Sequence, residues 1–380
     1  MKIVLSGVST VNKGAELMLY AILQEIERRY PEAKVYLPYN LCRRGLKFLK
    51  TSLDLEYIPW SRFAAITHLE GIFTRLHLNQ SFVSKTNIVS RADWFIDGSG
   101  FAFSDQFNIE EGRVNMWEGM LSKLSAKGCK IVFLPQAYGP LKKKNTKKIL
   151  SVINKYADLI MPREKVSYEY LAKSGFIDMN KVRMFTDFTS LVDGIFPVGY
   201  EHLKKGICII PNLQMIRKGI ITYDNYIRLL TAIIVESQKS NRPVYLLNHE
   251  GKKDEELCYK CQKSIGENIE IVTGLNALEV KGLISSAYLV ITSRFHGLAS
   301  ALNSCVPSLA TSWSHKYEEL YRDYDLKGYV LPLDNIDATV DAVKKLLDEK
   351  ENEKIREHLS VQLPKIKTQT KEMWNMVWYL

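Results

Sequence analysis

Residues 288–302 read YLVITSRFHGLASAL, and this stretch decides the fold class. The uncharged run at 288–292 is rich in β-branched residues and predicts a buried strand. A turn at 293–297 follows, and the small residues after it predict a helix that packs closely. A strand that passes through a short turn into a helix is the unit from which parallel α/β sheets are built.

The same alternation of strand and helix runs through most of the chain. Apolar runs predict strands at 2–6, 34–37, 94–97, 130–134, 159–161, 207–210, 244–248, 269–272, 288–292 and 308–311. Strands that are apolar throughout belong to parallel sheets that helices cover on both faces. We therefore expect two α/β domains in tandem, with the carboxyl ends of their strands facing each other across a cleft.

Shifts in composition predict where the domains end. Gly, Pro and Lys around 193–205 indicate a linker, so we place the first domain at 1–195 and the second at 206–335. The closing helices, 336–380, are long enough to cross back over the first domain. Residues 41–90 interrupt the alternation with basic and aromatic side chains. They form either an insertion packed on the first domain or a surface that lies against a membrane or a lipid-linked substrate.

The composition narrows the class of protein. The 380 residues are 46% hydrophobic, and 52 Lys and Arg against 42 Asp and Glu leave a net charge of +10, which favours anionic partners.

The cysteines are scattered, and neither a signal-peptide layout nor a membrane-spanning apolar run occurs, so we expect a cytoplasmic protein. No zincin, α/β-hydrolase or P-loop motif occurs, and we expect no metal site. Dispersed charge without a recognition motif argues against nucleic-acid binding.

The strongest candidate site follows the strand at 288–292. Arg294 and His296 lie at the start of a helix, whose unpaired N–H groups and dipole attract anions. Arginine adds a planar fork for a carboxylate or phosphate, and histidine adds a titratable donor. The alternative is a structurally satisfied histidine with the arginine paired to surface acids. His249 and Lys316 follow two other strands of the same predicted domain.

Four turns follow strands of the first predicted domain in the same way. Residues 7–14, GVSTVNKG, lead into a helix but do not form a dinucleotide-binding fingerprint. In the turn at 97–100, DGSG, the backbone can approach a ligand closely, and Asp97 can accept from hydroxyls. The other two turns are PQAYGP at 135–140 and REK at 163–165. Parallel strands bring these turns to one sheet edge, which makes the group more informative than any single turn.

The order and spacing of these pieces is more specific than any one of them. The pieces are Gly7 with Asn12–Ala15, DGSG at 97–100, PQAYGP at 135–140, Arg163 and Glu164 with Ser167, Asp187, SRFHG at 293–297, and Lys316 before Tyr317 and Glu318. In this order the chain resembles the polysaccharide pyruvyl transferase family over most of its length. It departs from many relatives at three positions. They have Asp where this chain has Ala15, the middle glycine of three where it has Ser99, and Ser where it has Ala137.

The resemblance implies a fold similar to that of the GT-B glycosyltransferases, with two Rossmann-like domains. It also implies that pyruvate is transferred from phosphoenolpyruvate, as co-substrate, to two hydroxyls of a sugar, without a further cofactor. Together with the polar groups at the strand ends, it indicates as catalytic groups His296, Arg163, Arg294 and Asp97. The expected donor-binding residues are Arg163, Ser293, Arg294, His296, Gly297, Lys316 and His249. The expected acceptor-binding residues are Asn12, Lys13, Gly14, Glu16, Asp97, Gly98, Ser99 and Gln136.

The implied chemistry gives the polar residues their roles. Phosphoenolpyruvate needs cations for its carboxylate and phosphate. Protonation of its methylene carbon creates an electrophile, and an acid that titrates near neutral pH suits this step, so His296 is the candidate. A carboxylate that deprotonates the sugar hydroxyl is supplied by Asp97 or Glu16.

The expected partners follow from the same resemblance. They are phosphoenolpyruvate and a capsular, exopolysaccharide or undecaprenyl-linked glycan, with peripheral contact to an anionic membrane surface at its cytoplasmic face. Two alternatives stay open. One is a GT-B-type glycosyltransferase that uses a nucleotide sugar, whose pyrophosphate suits the same basic turn. The other is a glycan-binding relative without turnover, which the three departures allow.

Overall fold

The computed structural model describes residues 1–38, 45–58, 91–266, 269–312 and 314–380. The chain divides into two compact units. Unit 1 comprises residues 1–11, 18–188 and 370–380, and unit 2 comprises residues 12–17 and 189–369. The predicted boundaries at 195, 206 and 335 stay predictions. Within the described ranges, no helix has both the length and the hydropathy needed to cross a membrane.

Unit 1 is built on a parallel sheet. Its strands are β1 (Lys2–Ser6), β2 (Lys34–Leu37), β3 (Asp54–Tyr57), β4 (Trp94–Asp97), β5 (Phe101–Phe103), β6 (Lys130–Tyr138) and β7 (Leu159–Pro162). The order is β3-β2-β1-β4-β6, and β5 and β7 both pair with β6. The chain runs outward in one direction from β1 to β3 and then returns to β4 on the other side of β1. This reversal between β1 and β4 is the point at which such sheets bind ligands.

Helices cover the sheet of unit 1 because each has one apolar face. They are α1 (Lys13–Arg29, of which 13–17 belongs to unit 2), α2 (Glu111–Ser125), α3 (Lys144–Tyr156) and α4 (Lys165–Ala172). The lysine-rich helix α3 shows the pattern clearly. Ile149, Leu150 and Ile153 are fully buried, whereas Lys147 and Lys148 point away from the core. Apolar spacing of three and four residues produces this division.

The structure corrects two expectations about strands in unit 1. Part of the predicted insertion at 41–90 is the edge strand β3, which pairs in parallel with β2. Its sequence, DLEY, escaped notice because two acids that pair with Lys34 interrupt its apolar pattern. Strand β6 does not end at Leu134 but continues through Pro135, where its register with β7 shifts and relieves the missing N–H. Residues 39–44 and 59–90 lie outside the described residues, so the membrane hypothesis for them stays a prediction.

Unit 2 contains a second parallel sheet. Its strands are β8 (Ile207–Ile210), β9 (Val244–Leu247), β10 (Glu270–Val272), β11 (Leu289–Thr292) and β12 (Ser308–Ala310). The order is β10-β9-β8-β11-β12, so the reversal lies between β8 and β11. Strands β8 and β11 are buried at every position, as their continuous apolar sequences predict.

The helices of unit 2 lie between its strands and after the last of them. They are α5 (Gln214–Arg217), α6 (Tyr223–Gln238), α7 (Gly251–Ile265), α8 (Ala277–Ser285), α9 (Phe295–Leu302), α10 (Lys316–Asp323), α11 (Ile336–Leu347) and α12 (Glu349–Trp378). The last residues of α12 belong to unit 1. There Trp374 packs against Phe188, and the Trp378 indole donates a hydrogen bond to Glu25 over 3.2 Å.

Candidate functional site

The turn between β11 and α9 is held in place by Ser293. The Ser293 hydroxyl is 2.6 Å from the Tyr226 hydroxyl and also contacts the Thr311 hydroxyl. Its carbonyl oxygen accepts hydrogen bonds from the Asn212 amide and the Tyr317 hydroxyl, both over 2.7 Å. The turn is therefore fixed from both neighbouring strands. The donor-binding role predicted for Ser293 stays a prediction, and these contacts show it supporting the turn.

Gly297 allows α9 to start directly against the sheet. A Cβ atom at this position would lie 2.7 Å from the Thr292 hydroxyl oxygen and 3.1 Å from the Ile210 side chain. Such distances are too short for any side chain, so the first turn of α9 requires glycine. The close packing brings the N-terminal end of α9 to the carboxyl end of β11.

The Arg294 guanidinium is bound by two carboxylates. It lies at the N-cap position of α9, where Nη1 contacts Glu250 and Nη2 contacts Asp254. Burial lowers the pKa of Arg294 to about 10 and raises the pKa of Asp254 to about 7. The arginine is thus paired, as one of the two sequence hypotheses held, but Asp254 is buried and not a surface acid. The predicted role of Arg294 in donor binding stays a prediction.

His249 follows β9 of unit 2 and lies among several basic groups. Burial lowers its pKa well below the ordinary histidine value, and electrostatic interactions with Arg294, His296 and Lys13 lower it further. His249 is therefore neutral near pH 7. Its Nδ1 atom is buried without a hydrogen-bond partner in the part of the chain that the structure describes. We call Lys13, His249, Arg294 and His296 the basic cluster.

The first turn of α1 packs against His296. The Asn12 side chain caps α1 by accepting from the N–H groups of Gly14, over 2.8 Å, and Ala15. A Cβ atom on Gly14 would lie 2.4 Å from Nδ1 of His296, so any larger residue forces the imidazole or the first turn of α1 to shift. Lys13 forms a buried ion pair with Glu16 at 2.7 Å.

This packing differs from the grouping made from the sequence. The sequence analysis assigned Asn12, Lys13, Gly14 and Glu16 to the acceptor side of the first domain. In the structure they belong to unit 2 and lie beside a candidate donor-binding residue. Their ligand-binding roles stay predictions. Lys316, also predicted for the donor, is buried in unit 2 at the start of α10.

Unit 1 carries a second polar site at its own chain reversal. Gly7 has a φ of +72° after β1, and a Cβ atom there would lie 2.0 Å from the Ser99 hydroxyl oxygen. Gly98 is similarly constrained, because its Cβ would lie 2.7 Å from Val8. The turns after β1 and β4 are thus pressed together. This close approach explains why Gly98 and Ser99, two of the predicted acceptor residues, are small.

Asp97 is a fully buried acid at this site. One carboxylate oxygen accepts hydrogen bonds from the Ser99 N–H over 3.1 Å and from the Gln136 amide over 3.3 Å. Its other oxygen has no partner within the described residues, nor do Oε1 of Gln136 and the hydroxyl of Tyr138. Burial raises the pKa of Asp97, and the hydrogen bonds only partly oppose this. The group of buried polar atoms with unmet hydrogen-bonding capacity suits a ligand rich in hydroxyls.

Arg163 follows β7 at the same edge of unit 1. Its guanidinium is 3.7 Å from the Asp187 carboxylate, and both side chains are buried. Its backbone N–H donates to the Gln136 carbonyl over 3.0 Å, which fixes it beside the Asp97 site. Arg163 therefore belongs to unit 1, whereas Arg294, His296, His249 and Lys316 belong to unit 2. The residues predicted for the donor are thus distributed over both units.

Sequence reasoning missed two residues that shape the site in unit 2. Asn212 follows β8 at the chain reversal, as Gly7 follows β1, and this equivalence was a usable signal. Asp254 lies four residues after Glu250 and so faces the same side of α7. That spacing indicates two carboxylates on one side of a helix, but it does not indicate which basic residue they bind.

We predict that Gly14→Ala destabilises the protein by about 1–3 kcal/mol, because the new methyl group must displace His296 or the first turn of α1. The matched control is Gly112→Ala in α2, where a Cβ atom has no neighbour within 4 Å. This control should be neutral or slightly stabilising. Urea unfolding of both variants is the measurement, and equal stability for the two would contradict the predicted contact.

We predict that Asp97→Asn stabilises the protein at pH 7.5 by about 1–3 kcal/mol, because it removes a buried charge with incomplete partners. The pKa of Asp97 is raised in the folded state. Ionisation of Asp97 therefore destabilises the folded state at neutral pH. This destabilisation is absent below the pKa of Asp97 in the unfolded chain, where the carboxyl is protonated in both states. The gain should shrink as the pH falls toward 4. A gain in melting temperature that does not depend on pH would contradict this explanation.

Three solved structures are similar to the chain over nearly their whole length. HepE of Anabaena in complex with UDP-glucose has a TM-score of 0.64 at 13% identity, covering 100% of both chains. UDP-GlcNAc 2-epimerase of Neisseria meningitidis bound to UDP-GlcNAc has a TM-score of 0.64 at 10% identity, again covering 100% of both chains. MnaA of S. aureus with UDP has a TM-score of 0.60 at 15% identity, covering 100% of this chain and 96% of its own. At these identities the likeness shows the fold alone, which is GT-B-like, as expected.

The family comparison covers the predicted site residues of both units except Lys316. No curated protein matches the chain significantly. The family model described as polysaccharide pyruvyl transferase matches residues 12–315, from the cap of α1 to the residue before α10. The match includes Asp97, Arg163 and the basic cluster, and it confirms the resemblance seen in the sequence. The chain belongs to the polysaccharide pyruvyl transferase family.

Proposed function

We propose that this protein transfers pyruvate from phosphoenolpyruvate to two hydroxyls of a sugar in a glycan, forming a cyclic ketal and releasing phosphate. The observation that carries the proposal is the basic cluster in unit 2. Lys13, Arg294 and His296 lie close enough to His249 to lower its pKa, and basic side chains gathered at one strand end suit an anionic ligand. Membership of the family makes a pyruvyl donor the favoured anion.

Phosphoenolpyruvate presents two anionic groups that match the chemistry of this edge. A carboxylate suits the planar fork of Arg294. A phosphate suits the N-terminal end of α9 together with a point charge such as Lys13. Neutral His249 adds a buried nitrogen that can exchange a hydrogen bond with the ligand. The donor in this proposal is bound by unit 2.

In the proposed reaction, His296 donates a proton to the methylene carbon of the donor. The adjacent carbon becomes electrophilic, and the first sugar hydroxyl adds to it and loses its proton. The bond to the phosphate oxygen then breaks, and phosphate leaves. The second hydroxyl adds to the same carbon and loses its proton, which closes the ring. Of the two protons released by the hydroxyls, one balances the proton given to the methyl group and the other leaves with phosphate.

The proposed acceptor site is the polar edge of unit 1. The unmet hydrogen-bonding atoms of Asp97 and Gln136 suit sugar hydroxyls. Asp97 is the preferred base, because its raised pKa makes the carboxylate a stronger proton acceptor. Glu16 is less suited, since its carboxylate is already engaged in the buried ion pair with Lys13. We propose a capsular, exopolysaccharide or undecaprenyl-linked glycan as acceptor, modified at the cytoplasmic face of the membrane.

We predict that His296→Gln lowers phosphate release from phosphoenolpyruvate at least 100-fold, the usual contribution of a general acid. Glutamine retains a hydrogen-bonding side chain but cannot supply the proton. The matched control is His202→Gln, because His202 is an exposed histidine of unit 2 paired with Glu270. Turnover is measured with a panel of glycan acceptors. A His296→Gln variant with the turnover of the control would remove His296 from the mechanism.

A nucleotide-sugar transferase is the second candidate, because two of the structural neighbours contain UDP-glucose or UDP-GlcNAc. We predict that phosphoenolpyruvate, and neither UDP-sugar, raises the melting temperature of this protein. A ligand at 100 times its dissociation constant stabilises the folded state by about 2.7 kcal/mol, which a thermal-shift assay detects. Stabilisation by a UDP-sugar alone would favour the second candidate. Glycan binding without consumption of phosphoenolpyruvate would indicate a relative without turnover.

A further inference from the structure

The two carboxylates that bind Arg294 differ in their surroundings. The side chain of Asp254 is 4% exposed, and that of Glu250 is 31% exposed, while Arg294 itself is 12% exposed. One partner of the arginine is therefore enclosed in the protein, and the other lies toward solvent. A ligand that approaches Arg294 from solvent meets Glu250 first.

Asp254 is fixed by more than its contact with Arg294. It belongs to α7, and its second carboxylate oxygen accepts a hydrogen bond from the Leu213 N–H over 3.1 Å. The positive charge of Arg217 also acts on it. These contacts bind Asp254 to the segment that follows β8. Asp254 therefore supports the arginine from within the unit.

Glu250 has a fixed backbone but an accessible side chain. Its N–H donates to the Asn248 side chain over 3.2 Å, and Asn248 in turn donates to Thr273. Gly251 follows with a φ of +63° and begins α7. Since the backbone on both sides is held, rotation of the side chain alone is enough to move the Glu250 carboxylate away from Arg294.

We propose that Glu250 takes the place of the donor's carboxylate on Arg294 and leaves when phosphoenolpyruvate binds, while Asp254 remains and holds the guanidinium in position. This inference rests on the proposed function, in which Arg294 binds the donor's carboxylate. The carboxylate of glutamate has the same charge and planar geometry as that of phosphoenolpyruvate. One can therefore replace the other on the same edge of the guanidinium.

The exchange has an electrostatic reason. The Glu250 charge offsets part of the positive charge of Arg294 until the donor arrives. When the donor's carboxylate replaces Glu250, the charge balance around Arg294 is maintained. Glu250 and the donor compete for Arg294. The affinity for the donor is therefore reduced by the free energy needed to separate Glu250 from the arginine.

The test is to measure the dissociation constant of phosphoenolpyruvate by calorimetry for the wild-type protein and Glu250→Gln. We expect Glu250→Gln to bind about tenfold more tightly, equivalent to about 1.4 kcal/mol. Its KM should fall while kcat stays within about twofold. The matched control is Glu256→Gln, which removes the same charge from an exposed position of α7 and should change binding less than about twofold. Asp254→Asn should weaken binding, because Arg294 loses its enclosed support.

Two further ligands identify which group of the donor Glu250 replaces. Phosphoglycolate carries a carboxylate and a phosphate, and its affinity should rise in Glu250→Gln as that of phosphoenolpyruvate does. Inorganic phosphate lacks the carboxylate, and its affinity should rise much less. An equal gain for inorganic phosphate would overturn the inference.

The outcomes separate this inference from the proposed function. If wild-type protein binds no phosphoenolpyruvate, both are wrong. If it binds and turns over phosphoenolpyruvate but Glu250→Gln and Glu256→Gln have equal dissociation constants, only the inference is wrong. Melting temperatures of all variants are recorded, so that a Glu250→Gln variant that fails to fold is replaced by Glu250→Ala in the same measurements.

Discussion

The concentration of positive charge at the carboxyl end of one sheet is the constraint on which the site of unit 2 depends. Like charges that are partly withdrawn from water repel each other strongly. The protein meets this constraint in two ways: His249 stays neutral, and carboxylates accompany Lys13 and Arg294. Hydrogen bonds of Ser293 hold the turn that carries Arg294, so the position of the Arg294 charge is fixed as well.

The site of unit 1 has the opposite character, although its sheet reverses direction in the same way. Its central group is Asp97, a buried acid whose charged form is disfavoured by its surroundings. Hydrogen-bonding atoms with unmet capacity, and not an excess of charge, distinguish this edge. Two units of the same architecture therefore present two chemistries, one suited to a small anion and the other to hydroxyl groups.

Most of the strands and the two α/β units could be predicted from the sequence, because apolar strands and strand-end turns are local patterns. SRFHG at 293–297 was located in this way, and its place after β11 is confirmed. The partners of Arg294 could not be predicted, since Glu250 and Asp254 come from a different strand–helix unit of the chain. Strand β3 was missed because charged residues on an edge strand conceal its apolar alternation.

The contact between Gly14 and His296 has a consequence for how the protein is made. One wall of the basic cluster comes from the start of the chain, and the rest comes from its second half. During synthesis the first residues leave the ribosome long before His296 is made. The contact between Gly14 and His296 can therefore form only late in synthesis. A gene fragment that encodes residues 189–369 alone would therefore lack the segment that packs against His296.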